Sequence, residues 1–308
     1  MDEIRTLASK GILVGVCSWT GKTLVESGTF YPDERMTAEE RLRFYASQFP
    51  IVEVDATYYA PPSERAAATW VERTPADFTF DIKAYRLLTQ HPTPVQSLWR
   101  DLREQLPREA ATKANVYADD LPQSVLTEAF ERFVSAILPI HSAGKLGAVL
   151  FQYPPYFYPS SVSRRRLGMV AERFAGIPVS VEFRQERWMD DGHRDGTLAM
   201  LDELGLSYVS VDEPQGFRSS VPPIAAVTGD FAEVRFHGRN AETWEARGLT
   251  AEERFRHDYS TAELSEWVPR IRTLREQSET VHVLMNNCYT DYGVRSARLM
   301  AGLLAEAL

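Results

Sequence analysis

A chain of 308 residues, 44% hydrophobic and 25% charged, is long enough to bury one sizeable core, and a single domain over 1–308 accommodates it. Its formal charge of -9 opposes non-specific attraction to phosphate backbones, which argues against nucleic acid as a partner while leaving room for a local basic patch. No run of about eighteen apolar residues is present, and the opening segment is charged at Asp2, Glu3 and Arg5, so a cytoplasmic protein with no membrane span or signal peptide is expected.

The first strand signal covers residues 12–17, and Thr37 with Glu40 then forms a capping box that opens a helix. Strand signals follow at 51–57 and 78–84. The long connection 85–123 holds a short helix near 97–104. A helix over 125–141 follows, with Leu126, Ala129, Phe130, Phe133, Val134, Ile137 and Leu138 at helical spacing and Gly144 as its stop signal. Further strands are expected at 146–152, 178–184 and 206–212. Pro214, Gly216, Pro222 and Pro223 break the segment 213–229, so no full helix is expected there. The seventh strand is read at 231–237, a long connection runs from 238 to 259, Ser260 and Glu263 form a second capping box, and the eighth strand lies at 281–287.

Eight strands alternating with helices imply parallel pairing, which leaves a closed barrel or an open doubly wound sheet. The count favours an α/β closed (β/α)8 TIM barrel. The turn Gly15-Val16-Cys17-Ser18-Trp19 also lacks the G-x-G-x-x-G spacing of an open dinucleotide-binding sheet, and no cofactor is implied.

Side chains two apart on a strand share a face. Glu53, Asp55 and Thr57 therefore oppose Val52 and Val54; Asp81 and Lys83 oppose Phe80 and Ile82; Glu182 and Arg184 oppose Val181 and Phe183; Glu233, Arg235 and His237 oppose Val234 and Phe236. The outer face must receive helices, so the polar stripe is expected to point inward. The deeper residues Glu53, Asp81 and Glu233 read equally well as an ion-pair lattice fixing strand register. Nearer the C-terminal strand ends, Asp55, Lys83, Glu182, Arg184, Asp212 and His237 are the candidate catalytic residues. Trp19, Tyr58, Gln152, Arg239, Asn240, Trp244, Asn286, Asn287 and Tyr289 are the candidate substrate-binding residues, because amides orient polar groups, arginines clamp anions and aromatic faces accept sugars or bases.

Six stretches resemble the YecE-like family, the domain of unknown function 72: Val52-Glu53-Val54-Asp55-Ala56-Thr57-Tyr58-Tyr59, Phe80-Asp81-Ile82-Lys83-Ala84, Phe151-Gln152-Tyr153-Pro154-Pro155, Val181-Glu182-Phe183-Arg184, Arg235-Phe236-His237-Gly238-Arg239 and Asn286-Asn287-Cys288-Tyr289. The resemblance implies a TIM barrel with a polar cavity and supplies no reaction. One departure is that Ser18 runs directly into Trp19, where the family usually has an intervening glycine.

Three functions fit these residues. The leading one is an enzyme (hydrolase, lyase or isomerase) using general acid/base chemistry on a small polar anionic or sugar-like ligand. Glu182 or Asp55 is its base, His237 its proton shuttle, and Lys83, Arg184 and Arg239 stabilise negative charge. The second is a metal-assisted phosphodiesterase or isomerase of the endonuclease IV or xylose isomerase type, with Asp55, Glu182, Asp212 and His237 as ligands; one strand-end histidine and the neighbouring cations argue against it, and no metal is assigned. The third is a non-catalytic ligand-binding or partner protein, whose protein partners the sequence does not identify. Cys17 and Cys288, on strands that neighbour each other in a closed barrel, are expected to meet as reduced thiols without a redox role.

Overall fold

Apolar residues at alternate positions give seven of the eight short strand runs a greasy face that receives the helices. The runs form β1 (Ile12–Val16), β2 (Ile51–Val54), β3 (Thr79–Lys83), β4 (Leu146–Gln152), β5 (Val179–Glu182), β6 (Ser207–Asp212), β7 (Ala232–Phe236) and β8 (Val281–Met285). In this computed structural model, which describes residues 2–307, all eight pair in parallel and close as β1-β8-β7-β6-β5-β4-β3-β2. The chain is a TIM barrel, as its strand signals require.

Val52, Val54, Phe80, Ile82, Phe151, Val181, Val234 and Phe236 are buried in the layer between barrel and helices. Helix Gln123–Ser142 shows how this layer is built: Phe130 and Phe133 lie 6.3 and 6.4 Å from Phe174, which packs at 5.2 Å on Phe151 of β4. Each such side chain contributes about 1.5–3 kcal/mol by leaving water. The inner wall is equally crowded. A Cβ on Gly147 would stand 2.4 Å from Asp81 Oδ1 and 2.8 Å from His282 Cε1, so only glycine fits between those polar groups.

The capping boxes at Thr37 and Ser260 are both formed, and 213–229 contains no helix. The connection 85–123 is more ordered than expected, with helices Arg100–Arg103 and Arg108–Ala111 and an antiparallel ribbon pairing Thr93–Pro94 with Asn115–Val116. One boundary matters for the site. The second strand ends at Val54, and Asp55–Tyr58 turns away as a 3-10 helix, pinned where Thr57 Oγ1 donates to the carbonyls of Val54 and Lys83 at 2.7 and 2.6 Å. Among the described residues, no helix is long and apolar enough to cross a membrane.

Candidate active site at the barrel mouth

The inward stripe assembles around Arg235 of β7. Its Nε and Nη2 donate to the two oxygens of Glu53, both at 2.7 Å, and its Nη1 donates to Glu182 Oε2. Glu182 Oε1 receives Gln152 Nε2 at 2.6 Å, Arg184 Nε at 2.7 Å and His237 Nε2 at 3.1 Å. Burial alone would raise the Glu182 carboxyl, but Arg235, His237 and Arg184 outweigh it and hold it well below the ordinary range. A carboxylate saturated by four donors is a poor proton acceptor. Glu182 therefore serves as an anchor for Arg184 and Arg235, contrary to its expected role as base.

His237 is equally committed. Asn286 Nδ2 donates to its Nδ1 at 2.8 Å, which leaves the proton on Nε2 facing Glu182. Burial, reinforced by Arg184, lowers its pKa to about 3, so the ring is neutral and both nitrogens are occupied. The expected shuttle is a fixed spacer. On the outer side of this group, Arg184 Nη1 pairs with Glu213 Oε2 at 2.7 Å, while burial pushes Glu213 up to about 8 against the pull of Arg184.

Lower in the barrel, Asp81 Oδ2 meets His282 Nδ1 at 2.9 Å. Glu233 is buried with both carboxylate oxygens unpartnered, and the nearest cation, Arg235 Nε, is 4.0 Å away. Burial first, then Asp81 and Glu53, push it well above the ordinary range. Asp81 is thus paired through one oxygen only, and Glu233, without a partner on either oxygen, is pushed toward its protonated form.

At the mouth, Lys83 Nζ donates to Asp55 Oδ1 at 2.8 Å, with side chains 11% and 32% exposed. Burial opposes both charges, yet each partner stabilises the other: Asp55 falls below and Lys83 rises above its ordinary value. Two residues before Asp55, burial pushes Glu53 up to about 7 despite Arg235. Tyr58 caps the pair, its ring 5.3 Å from Lys83 Nζ and equally far from Arg86.

Beside Tyr58 opens a cleft of about 720 Å³ over the ends of β4 and β5 and the loops after β6 and β7. Tyr58, Gln152, Arg184 and Trp244 line it as expected, with the Arg184 guanidinium 4.7 Å from the Trp244 ring. His91, Tyr156, Tyr158, Arg218, Arg254 and Phe255 also line it, and these sequence reasoning missed. Their one legible signal was position on loops that follow barrel strands.

Several expected residues lie elsewhere. Asp212 was read at the mouth, but the register sets Val209 and Val211 level with Glu233 and Arg235, so Asp212 faces outward beside Phe236. There it accepts from Tyr259 Oη and Trp267 Nε1, both at 2.6 Å, and from Arg239 Nη2 at 2.7 Å. Arg239 also bonds Glu266 and is absorbed in that outer cluster. Asn240 caps the turn Ala241–Trp244 and donates to Arg256 O. Asn287 donates to His257 O and Ser296 Oγ, and the Tyr289 ring lies under Arg256 at 4.7 Å. Trp19 packs edge-on to Trp70 at 5.8 Å in a separate cavity of about 270 Å³ that Asp55 borders. Just before it, Ser18 takes φ of +152°, a conformation that favours glycine.

Asp55, Glu182, Asp212 and His237 do not converge, and among the described residues no group of three or more His, Cys, Asp or Glu is placed to hold a metal ion. Cys17 and Cys288 are free thiols; burial raises both well above their ordinary value, and Cys288 Sγ faces the carbonyl of Cys17 at 3.8 Å.

A closed parallel barrel with a polar, arginine-lined cleft at its C-terminal face defines a TIM-barrel protein. Residues 13–308 match the family described as protein of unknown function DUF72, and the chain belongs to that family. It is similar to the UPF0759 protein YunF of Bacillus subtilis (strain 168), at 30% identity over 280 residues, 90% of this chain and 88% of that one. Solved DUF72 family structures from Enterococcus faecalis V583 (26% identity, TM-score 0.76, 95% of each chain) and Thermotoga maritima MSB8 (27%, TM-score 0.74, 96% and 99%) share the fold.

Proposed function

We propose that this chain is an enzyme acting by general acid/base chemistry on a small, polar, anionic substrate held in the mouth cleft. The observation that carries the reading is an inversion of charge: on a chain of net charge -9, the cleft is lined by Arg218 and Arg254, beside an Arg184 already paired with Glu182 and Glu213, against one carboxylate, Glu245, which already accepts from Ser219 Oγ. Such a basin concentrates anions, and its low-dielectric aromatic walls strengthen each contact.

Acid/base work falls to Asp55 and Lys83. Their pair is partly exposed, whereas Glu182 and His237 are sealed and fully bonded. Asp55 would take a proton from the substrate, and Lys83 would stabilise the negative charge that develops.

Thermal unfolding in the presence of a panel of small carboxylates, phosphate esters and neutral sugars tests the reading. An anion at a hundredfold excess over its Kd stabilises by about 2.7 kcal/mol, and Arg218→Ala should remove the shift without changing the unliganded Tm. Stabilisation by neutral sugars alone, or an anion effect indifferent to Arg218→Ala, would overturn it.

A further inference from the structure

Six large hydrophobic side chains are exposed among the described residues, and four are tyrosines around the mouth: Tyr59 (56%), Tyr117 (44%), Tyr156 (48%) and Tyr158 (48%). They come from separate segments: the turn after β2, the residue that follows the ribbon in the connection 85–123, and the loop after β4. Tyr59 stands 5.1 Å from Tyr58, and Tyr117 stands 6.5 Å from Tyr156. The Tyr156 hydroxyl donates to Gln90 O at 2.9 Å, which fixes its ring before any ligand arrives. Rings already held in place lose little freedom on binding.

Tyr156 is also the wall between two depressions. On one side is the central cleft; on the other is a hollow of about 370 Å³ lined by Gln90, Tyr117, Asp119, Tyr156, Phe157, Ser163 and Arg166. The two differ in charge. The central cleft has an excess of arginine, whereas the one cation lining the outer hollow, Arg166, is spent on both oxygens of Asp119, at 2.5 and 2.7 Å. An aromatic track thus runs from a cationic basin into a neutral hollow with amide and hydroxyl groups.

Resting on the anionic-ligand reading of the cleft, we infer that the substrate is an acidic oligosaccharide: one sugar unit carrying a carboxylate or phosphate lies on the arginines, and further neutral or hydroxyl-rich units stack over Tyr156 and Tyr117. Aromatic faces accept the C–H faces of sugar rings, while the Gln90 amide supplies bonds for hydroxyls. Single-stranded nucleic acid fits less well. Each nucleotide brings a phosphate, and the outer hollow offers only a compensated arginine beside an exposed Asp119 carboxylate.

Calorimetric titration of the full chain with glucuronate, an aldotriouronic acid (one glucuronate joined to two neutral xylose units), glucose 6-phosphate and a thymidylate trinucleotide tests this. The trimer should bind about tenfold tighter than the monomer, which is about 1.4 kcal/mol of added contact. Tyr117→Ala should erase that advantage and leave the affinity for glucuronate or glucose 6-phosphate unchanged. Equal affinity for monomer and trimer, tighter binding of the trinucleotide, or equal weakening of monomer and trimer by Tyr117→Ala would overturn the inference while the anion site stands. Failure of all four probes to bind would overturn both the anion site and the inference.

Discussion

Arg235 and Lys83 both project from strands onto the barrel interior and both hold a carboxylate at hydrogen-bond distance, yet their surroundings differ. Arg235 and its partners Glu53 and Glu182 are fully sealed, with each guanidinium nitrogen facing an acceptor, whereas the side chains of Lys83 and Asp55 are 11% and 32% exposed. In the sealed group every charge is compensated, so the group ties β2, β5 and β7 together and has nothing left to offer a ligand. The mouth pair keeps spare valence. Charge alone on an inner wall therefore does not mark a catalytic residue; unsatisfied and reachable hydrogen-bonding capacity does.

The comparison breaks most decisively at Arg235. Arg235→Met leaves Glu53 and Glu182 buried without their main counter-charge and should cost about 3–5 kcal/mol in urea unfolding followed by tryptophan fluorescence. A loss below about 1 kcal/mol would mean that this group is no framework.

Glu233 gives a pH-dependent version of the contrast. Its folded pKa lies well above the ordinary 4.5, so the native state keeps a proton that the unfolded chain has released. Stability from this group is complete below about 4.5 and falls as pH rises toward the folded pKa, by up to about 1.4 kcal/mol per pH unit. Glu233→Gln removes that loss, and its advantage over the parent chain should grow from pH 5 to pH 8. A difference that stays constant with pH would show Glu233 ionised inside the barrel.

The smallest change in stability is expected at the mouth. Lys83→Met breaks a partly exposed pair, so unfolding should shift by no more than about 1 kcal/mol, while any turnover disappears. A large loss of stability with ligand binding intact would move Lys83 into the framework.

The fold was legible because Val52/Val54, Phe80/Ile82 and Val234/Phe236 alternate with charged residues, and that period admits one inner and one outer face. The central pairings were half legible. Glu53, Glu182 and Arg235 were read as inward and are, but their saturation depends on distances across the barrel that no local pattern encodes. Asp212 was misread for a simpler reason. In Ser207-Tyr208-Val209-Ser210-Val211-Asp212 the apolar residues face inward, and pairing with β5 and β7 decides which alternate set does so.

The mouth aromatics were the least legible. Tyr58 and His91 stand 5.2 Å apart, as do Arg184 and Trp244 at 4.7 Å, only because closure brings loops from different strands over one opening. By itself the sequence determined a closed barrel with a charged inner stripe, since side-chain alternation and helix periodicity are local properties of the chain. Tertiary structure alone decided which of those charges are saturated, which face Asp212 occupies and where an arginine-lined cleft meets a track of tyrosines, because each depends on register and closure between residues far apart in sequence.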